Sequence, residues 1–177
     1  AEVFGTRRLA TLATLVQGDR AIVVTTAEAA LQSTLSPTDF SDLFCHLKEG
    51  EEIEQEALVA RLVRLGFSRA ERVEGVGQFS VRGGILDFYS PAEEDACRVE
   101  FFGDEIERVT FFDTTTQKST GKASSVTLLP TSELYLSPED VTVCLDAIEE
   151  ALSSKKTPER ARAKARLRKT PGFPYRV

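Results

Sequence analysis

The 177-residue chain has no methionine and no tryptophan, one histidine and three cysteines, and each shortage removes a class of chemistry. Nucleophilic catalysis by serine needs a base, and His46 is the single imidazole present, with no nucleophile-elbow sequence to accompany it. Cys45, Cys97 and Cys144 are odd in number and lie about fifty residues apart, which suits neither a disulfide framework nor a zinc cluster. His46 beside Cys45 supplies two adjacent groups, too few for a four-ligand metal site. The thiols read as buried and reduced. Long apolar runs are missing too: none approaches the roughly 18 residues of a membrane-spanning helix, and no signal peptide opens the chain. A cytoplasmic protein without membrane contact is the expectation. With no methionine, the initiator included, the chain reads as a piece excised from a longer protein.

What is present is ordinary for a globular protein: 41% apolar and 28% charged residues, in a length that holds one domain or one domain with pieces of a neighbour. The net charge of −6 is unevenly placed. Residues 1–154 carry 13 Lys and Arg against 27 Asp and Glu, a net of −14, while residues 155–177 carry 9 against 1, a net of +8. An acidic body repels phosphate, so only the tail from Lys155 to Lys169 favours nucleic acid. That run reads first as a solvated helix leading to a next domain, with nucleic-acid contact as the alternative.

Residues 1–40 read as helix, strand, helix. Thr6 caps a first helix with Leu9, Leu12, Leu15 and Val16 at helical spacing and Gly18 as its stop. A strand follows over Ala21–Val24, and Thr25 with Glu28 has the capping-box spacing for a short helix that Pro37 closes. One strand cannot make a sheet, so this unit suits the edge of an α/β domain whose other strands lie elsewhere. From Phe44 the pattern changes. A short strand at Cys45–Leu47 leads to a helix over 54–65 with Leu58, Val59, Leu62 and Val63 on one stripe and Gly66 as the stop. Strands are predicted over 69–74, 78–82, 85–90, 97–102 and 105–112, with Gly103-Asp104 as a tight hairpin, and another over Val126–Leu129. Pro138 opens a helix to Leu152, and a basic helix spans Pro158–Arg168.

Catalytic constellations fail on inspection. Thr120-Gly121-Lys122-Ala123-Ser124 comes nearest to a phosphate-binding loop, but it has threonine at 116 where glycine is needed and alanine after the lysine. Acidic pairs such as Glu105 with Glu107 are expected as solvated faces in so acidic a chain. The strand pattern is more informative. Alternation puts Phe79 and Val81 on one face and Ser80 and Arg82 on the other; it puts Val99 and Phe101 inward and Arg98, Glu100 and Phe102 outward. An exposed aromatic among arginines is the composition of a binding hot spot. A strand covered on both faces would bury Phe102 as core instead, and the pattern alone leaves both open.

The stretch from Gly77 to Phe88, with Val81-Arg82-Gly83-Gly84-Ile85-Leu86-Asp87, and the stretch from Arg98 to Glu107, with Val99-Glu100-Phe101-Phe102-Gly103-Asp104-Glu105, resemble the domain shared by UvrB and the transcription-repair coupling factor. The Gly-Ile-Leu-Asp phrase, Thr25 to Gln32 and the turn Thr116–Ser119 look more like the coupling factor; the equivalent region of UvrB is the alternative. Only Phe88-Tyr89-Ser90-Pro91 departs from the family's usual ending. The resemblance implies a surface that binds UvrA through two arginines and an aromatic falling on Arg82, Arg98 and Phe102, with Asp87 and Glu100 among acidic neighbours. It implies no cofactor and no enzymatic activity for this segment. The parent would be an ATP-dependent DNA translocase meeting RNA polymerase and DNA through other domains. The fold implied is α+β: a mostly antiparallel curved sheet with a packed helix over 45–122, preceded by a partial helicase-like α/β segment over 1–44. A return strand and helix over 123–154 and the basic linker 155–177 would follow.

Overall fold

A computed structural model of the chain describes residues 2–132. The helices expected over 138–152 and 158–168, and the basic tail, lie outside the described residues.

The amino-terminal part is helical. Helix α1 covers Glu2–Val16, beginning ahead of the expected cap at Thr6, because apolar spacing marks a helix face without saying how far upstream the helix reaches. Leu9 and Ala13 are buried from it against Phe40 and Leu129. Helix α2 covers Ala27–Leu31, and its cap is Thr26, one residue later than the capping box predicts: the Thr26 hydroxyl accepts from the Ala29 amide at 3.2 Å. Pro37, expected to close this unit, instead opens helix α3, Pro37–Ser41, at the position where its missing N–H costs nothing; Ser36 caps it by accepting from the Asp39 amide. The strand expected at Ala21–Val24 does not form. The segment has no neighbouring strand among the described residues, and Ile22 and Val24 stand almost fully exposed.

Strand β1, Cys45–Lys48, alternates buried and exposed. Helix α4, Gln55–Arg64, carries Leu58 and Leu62 one turn apart, both fully buried, with Val59 and Val63 beside them. Its end follows from Gly66. The Gly66 amide donates to Val63 and the Phe67 amide to Leu62, a paired closure that needs a left-handed residue, and Gly66 sits at φ 90°. A Cβ there would meet Thr131 Oγ1 at 2.6 Å, so the position excludes a side chain on two counts. Strand β2 is only Ser68–Arg69, parallel to β3, Gln78–Arg82. The longer strand expected over 69–74 is cut short because the chain leaves the sheet edge: Val73 is buried with Ala96, Phe112 and Tyr89, and the Ser80 hydroxyl donates to the Glu71 carbonyl.

Strands β4 (Ile85–Phe88), β5 (Ala96–Phe102), β6 (Glu105–Phe112) and β7 (Ser119–Lys122) continue the sheet as antiparallel neighbours, in the order β2-β3-β4-β5-β6-β7. The sheet is open, with β2 and β7 as its edges. Strand β8, Ser125–Leu128, pairs antiparallel with β1 across 80 residues of sequence, Cys45 opposite Leu128 and Lys48 opposite Ser125. One core joins the parts. Leu47, Val126 and Leu128 of the small sheet, Leu58 and Leu62 of α4, and Phe79, Leu86, Phe88, Val99 and Val109 of the large sheet form a single buried cluster. The α+β architecture with a helix packed on a mostly antiparallel sheet is thus as the sequence predicts. Cys45 and Cys97 are free and buried in this core, and burial pushes both thiols up, as expected of inert structural cysteines.

Leu62 has no exposed surface and touches the core from the centre of α4. Leu62→Ala should cost about 2–5 kcal/mol through lost burial and the cavity left behind, read as a lower urea midpoint at unchanged slope.

Candidate docking face

Cross-strand register divides the large sheet into two faces. Phe79, Phe88, Cys97 and Phe111 form one row, and Val81, Leu86, Val99 and Val109 the next; both rows face α4 and the core. The opposite face carries the row Ser80, Asp87, Arg98, Thr110, Lys122 and then the row Arg82, Ile85, Glu100, Arg108. Between Glu100 and Phe101 the register shifts: Glu100 opposes Arg108 while Phe101 opposes Ile106, leaving Glu107 as an extra residue in β6. That bulge keeps Ile106 in the core and sets Glu105 opposite Phe102 at the hairpin tip.

Asp87 is the centre of the polar face. It is 1% exposed, and its carboxylate accepts from Arg98 Nε on Oδ1 at 2.7 Å, from Arg98 Nη2 on Oδ2 at 2.9 Å, and from Arg82 Nη2 on Oδ2 at 2.6 Å. A carboxylate can be buried in mid-strand only if its charge is met, and here three charge-assisted bonds from two guanidinium groups meet it. The Asp87 hydrogen bonds raise the Arg98 pKa further above its ordinary value, against the opposing effect of burial. Arg98 also lies over the Phe112 ring, 4.7 Å from its centroid. It is therefore held on both sides and its side chain is 22% exposed, whereas that of Arg82 is 48% exposed.

Phe102 ends this face at the tip of the β5–β6 hairpin and is 78% exposed, so the covered-strand alternative does not hold. The backbone beneath it is tied down. The Phe101 amide donates to the Gly84 carbonyl at 2.8 Å, and a Cβ on Gly84 would press on the Phe101 carbonyl oxygen at 3.0 Å, so the two hairpins approach through a residue with no side chain. Gln55 Nε2 donates to the Gly83 carbonyl, the Ile53 amide to Asp104 at 2.7 Å, and the Ile106 amide to Glu51 at 2.9 Å. The start of α4 and the acidic turn ahead of it thereby brace both hairpin tips.

The structure gathers Arg82, Asp87 and Arg98 into one cluster, with Glu100 in the adjoining row and Phe102 beyond it. Glu100 lies 3.7 Å from Arg108, a contact of two partly exposed side chains. Asp87 differs from its expected companions in offering no surface: its oxygens are behind the arginines. Ile85 and Arg108 belong to the same face and were not among the residues predicted, since only strand register brings them there. Elsewhere, Thr120-Gly121-Lys122 lies in edge strand β7 and not in a loop opening a helix. Among the described residues no group of three His, Cys, Asp or Glu side chains is placed to hold a metal ion, and no helix is long and apolar enough to cross a membrane.

The family model for the UvrB interaction domain matches residues 45–134. The chain is 31% identical over 149 residues to the transcription-repair-coupling factor of Bacillus subtilis (strain 168), covering 84% of this chain and 13% of that protein. It is 36% identical over 135 residues to the transcription-repair-coupling factor of Myxococcus xanthus, covering 76% of this chain and 11% of that protein. It is 32% identical over 146 residues to UvrABC system protein B of Bacillus caldotenax, covering 82% of this chain and 22% of that protein. The chain therefore spans a small part of the length of the relatives it matches.

Removing the carboxylate that holds the arginines should loosen the face. Asp87→Ala is expected to cost about 1–3 kcal/mol in thermal unfolding, less than for a fully buried ion pair because Arg82 and Arg98 can turn toward water.

Proposed function

Because the chain belongs to the UvrB interaction domain family, we propose that it is a protein-docking module that binds UvrA through the sheet face carrying Arg82, Arg98 and Phe102. The observation that carries this reading is the exposure of Phe102, an aromatic ring left in water at the end of a charged face whose backbone is fixed by hydrogen bonds from two other segments. A ring presented from a braced hairpin loses little freedom on docking, so more of its burial appears as affinity. Arg82 keeps donors free beside it, and Arg98 supplies a guanidinium already oriented by Asp87. The mechanism is a binding equilibrium, with no chemical step assigned to this segment.

Within the family the coupling-factor reading is the one we favour, supported by the Gly83-Gly84-Ile85-Leu86-Asp87 phrase and the Thr116–Ser119 turn. In that setting the module recruits excision repair to RNA polymerase stalled on DNA, while an ATP-dependent translocase elsewhere in the longer protein acts on polymerase and DNA. Displacement of stalled polymerase by the longer protein tests this part of the reading.

Arg98→Glu is a poor first test, since it would set a second carboxylate against Asp87 and disturb the fold. Phe102→Ala, which removes an exposed ring, should weaken binding to purified UvrA by about 2 kcal/mol or more, roughly 30-fold, with unchanged unfolding. Titration calorimetry measures it, and an unaltered Kd would overturn the assignment.

A further inference from the structure

Resting on that docking reading, we infer that the docking face continues past the Asp87 cluster to Ile85 and Arg108, and that Arg108 is a specificity-determining contact for a carboxylate on the partner. The cations of this face differ in how far they are engaged within the chain. Arg98 spends two donors on Asp87 and its flat face on Phe112. Arg82 shares the same carboxylate. Arg108 is half exposed, and its nearest approach to an acid is 3.7 Å from Glu100, outside hydrogen-bonding distance and open to screening by salt. Of the three arginines on this face it is the one with most of its hydrogen-bonding capacity left for a partner.

Its position follows from the regular pairing of β5 with β6, Val99 opposite Val109 and Glu100 opposite Arg108, which ends at the bulge. Were alternation to run unbroken through Glu107, Ile106 would fall on the open side and Glu105 on the core side; the bulge returns Ile106 to the core and turns Phe102 and Glu105 outward, on the same face as Arg108. The row Arg82, Ile85, Glu100, Arg108 crosses three inter-strand gaps of ~4.8 Å, so its two arginines stand about 14 Å apart with Ile85, partly buried, and Glu100 between them. Phe102 lies in the next row toward the tip. A row with an arginine at each end, Ile85 beside one and Glu100 beside the other, calls for a partner surface of matching layout: an apolar pocket for Phe102, a shallow contact for Ile85, and carboxylates that reach the outer sides of the arginines. A basic surface would be rejected by Arg108 and Arg82 together.

The test uses the 177-residue chain and purified UvrA. Arg108→Glu should weaken binding about tenfold or more and flatten the ionic-strength dependence of the association rate; Arg108→Ala should fall between it and the parent, and Arg108→Lys should restore most of the affinity. In the Glu100→Gln background Arg108→Ala should cost more than in the parent, because Arg108 is then unshared. A merely structural role would move the unfolding midpoint and not the salt dependence. If Arg108→Glu binds as the parent does while Phe102→Ala loses binding, this inference falls and the docking reading stands. If neither variant changes affinity, both fall together.

Discussion

The buried carboxylate of Asp87 is the constraint on which the exposed face depends. A charge in mid-strand, out of water, is unfavourable unless its lone pairs are filled, and Arg82 and Arg98 fill them from the strands on either side. Each arginine is thereby drawn flat along the sheet instead of reaching into solvent. The result is a polar surface with fixed side chains, fastened at one end by the Phe112 ring beneath Arg98. Apolar residues at these three positions would have called for a second covering layer. Charged ones bound to each other let the face stay open.

The same sheet solves two packing problems with two periodicities. Its inner face buries phenylalanine, leucine and valine against α4, whose Leu58 and Leu62 arrive at helical spacing. Its outer face is covered only in part, where Val73 returns over Ala96 and Phe112. What remains open is the polar cluster and the hairpin tip. The bulge at Glu107 makes these compatible, letting β6 keep Ile106 in the core without turning the tip inward. Rigidity at the tip comes from elsewhere in the chain, through Gln55, Ile53 and Glu51, so the element that builds the core also steadies the proposed contact surface. For a module whose work is binding, that arrangement lowers the ordering cost that affinity must otherwise overcome.

Parts of this were legible in the chain itself, and they share one property: their physics is local. The α4 stripe with Gly66 as its stop, the Gly103-Asp104 hairpin, the inert thiols of Cys45 and Cys97, and the outward direction of Arg82, Arg98, Glu100 and Phe102 all follow from spacing or alternation within a few residues. Local signals also misled where two were close together. Thr25 and Thr26 are equivalent by residue type, and only the helix register chose Thr26 as the cap; Pro37 serves as well to open a helix as to close one.

What tertiary structure alone decided is whatever needs a partner distant in sequence. Ala21–Val24 has the composition of a strand, yet a strand exists only by pairing, and none of the described residues pairs with it. Cys45–Lys48 became a strand because Ser125–Leu128 came alongside. The alternation that turned Asp87 away from the core did not reveal that it would be buried there, since its burial rests on guanidinium groups 5 and 11 residues away on neighbouring strands. Ile85 and Arg108 joined Arg82 and Glu100 by register, which hydrogen bonding between strands sets and no single strand encodes. The sequence by itself determined which side chains face outward; the pairing of strands determined which of those stand together.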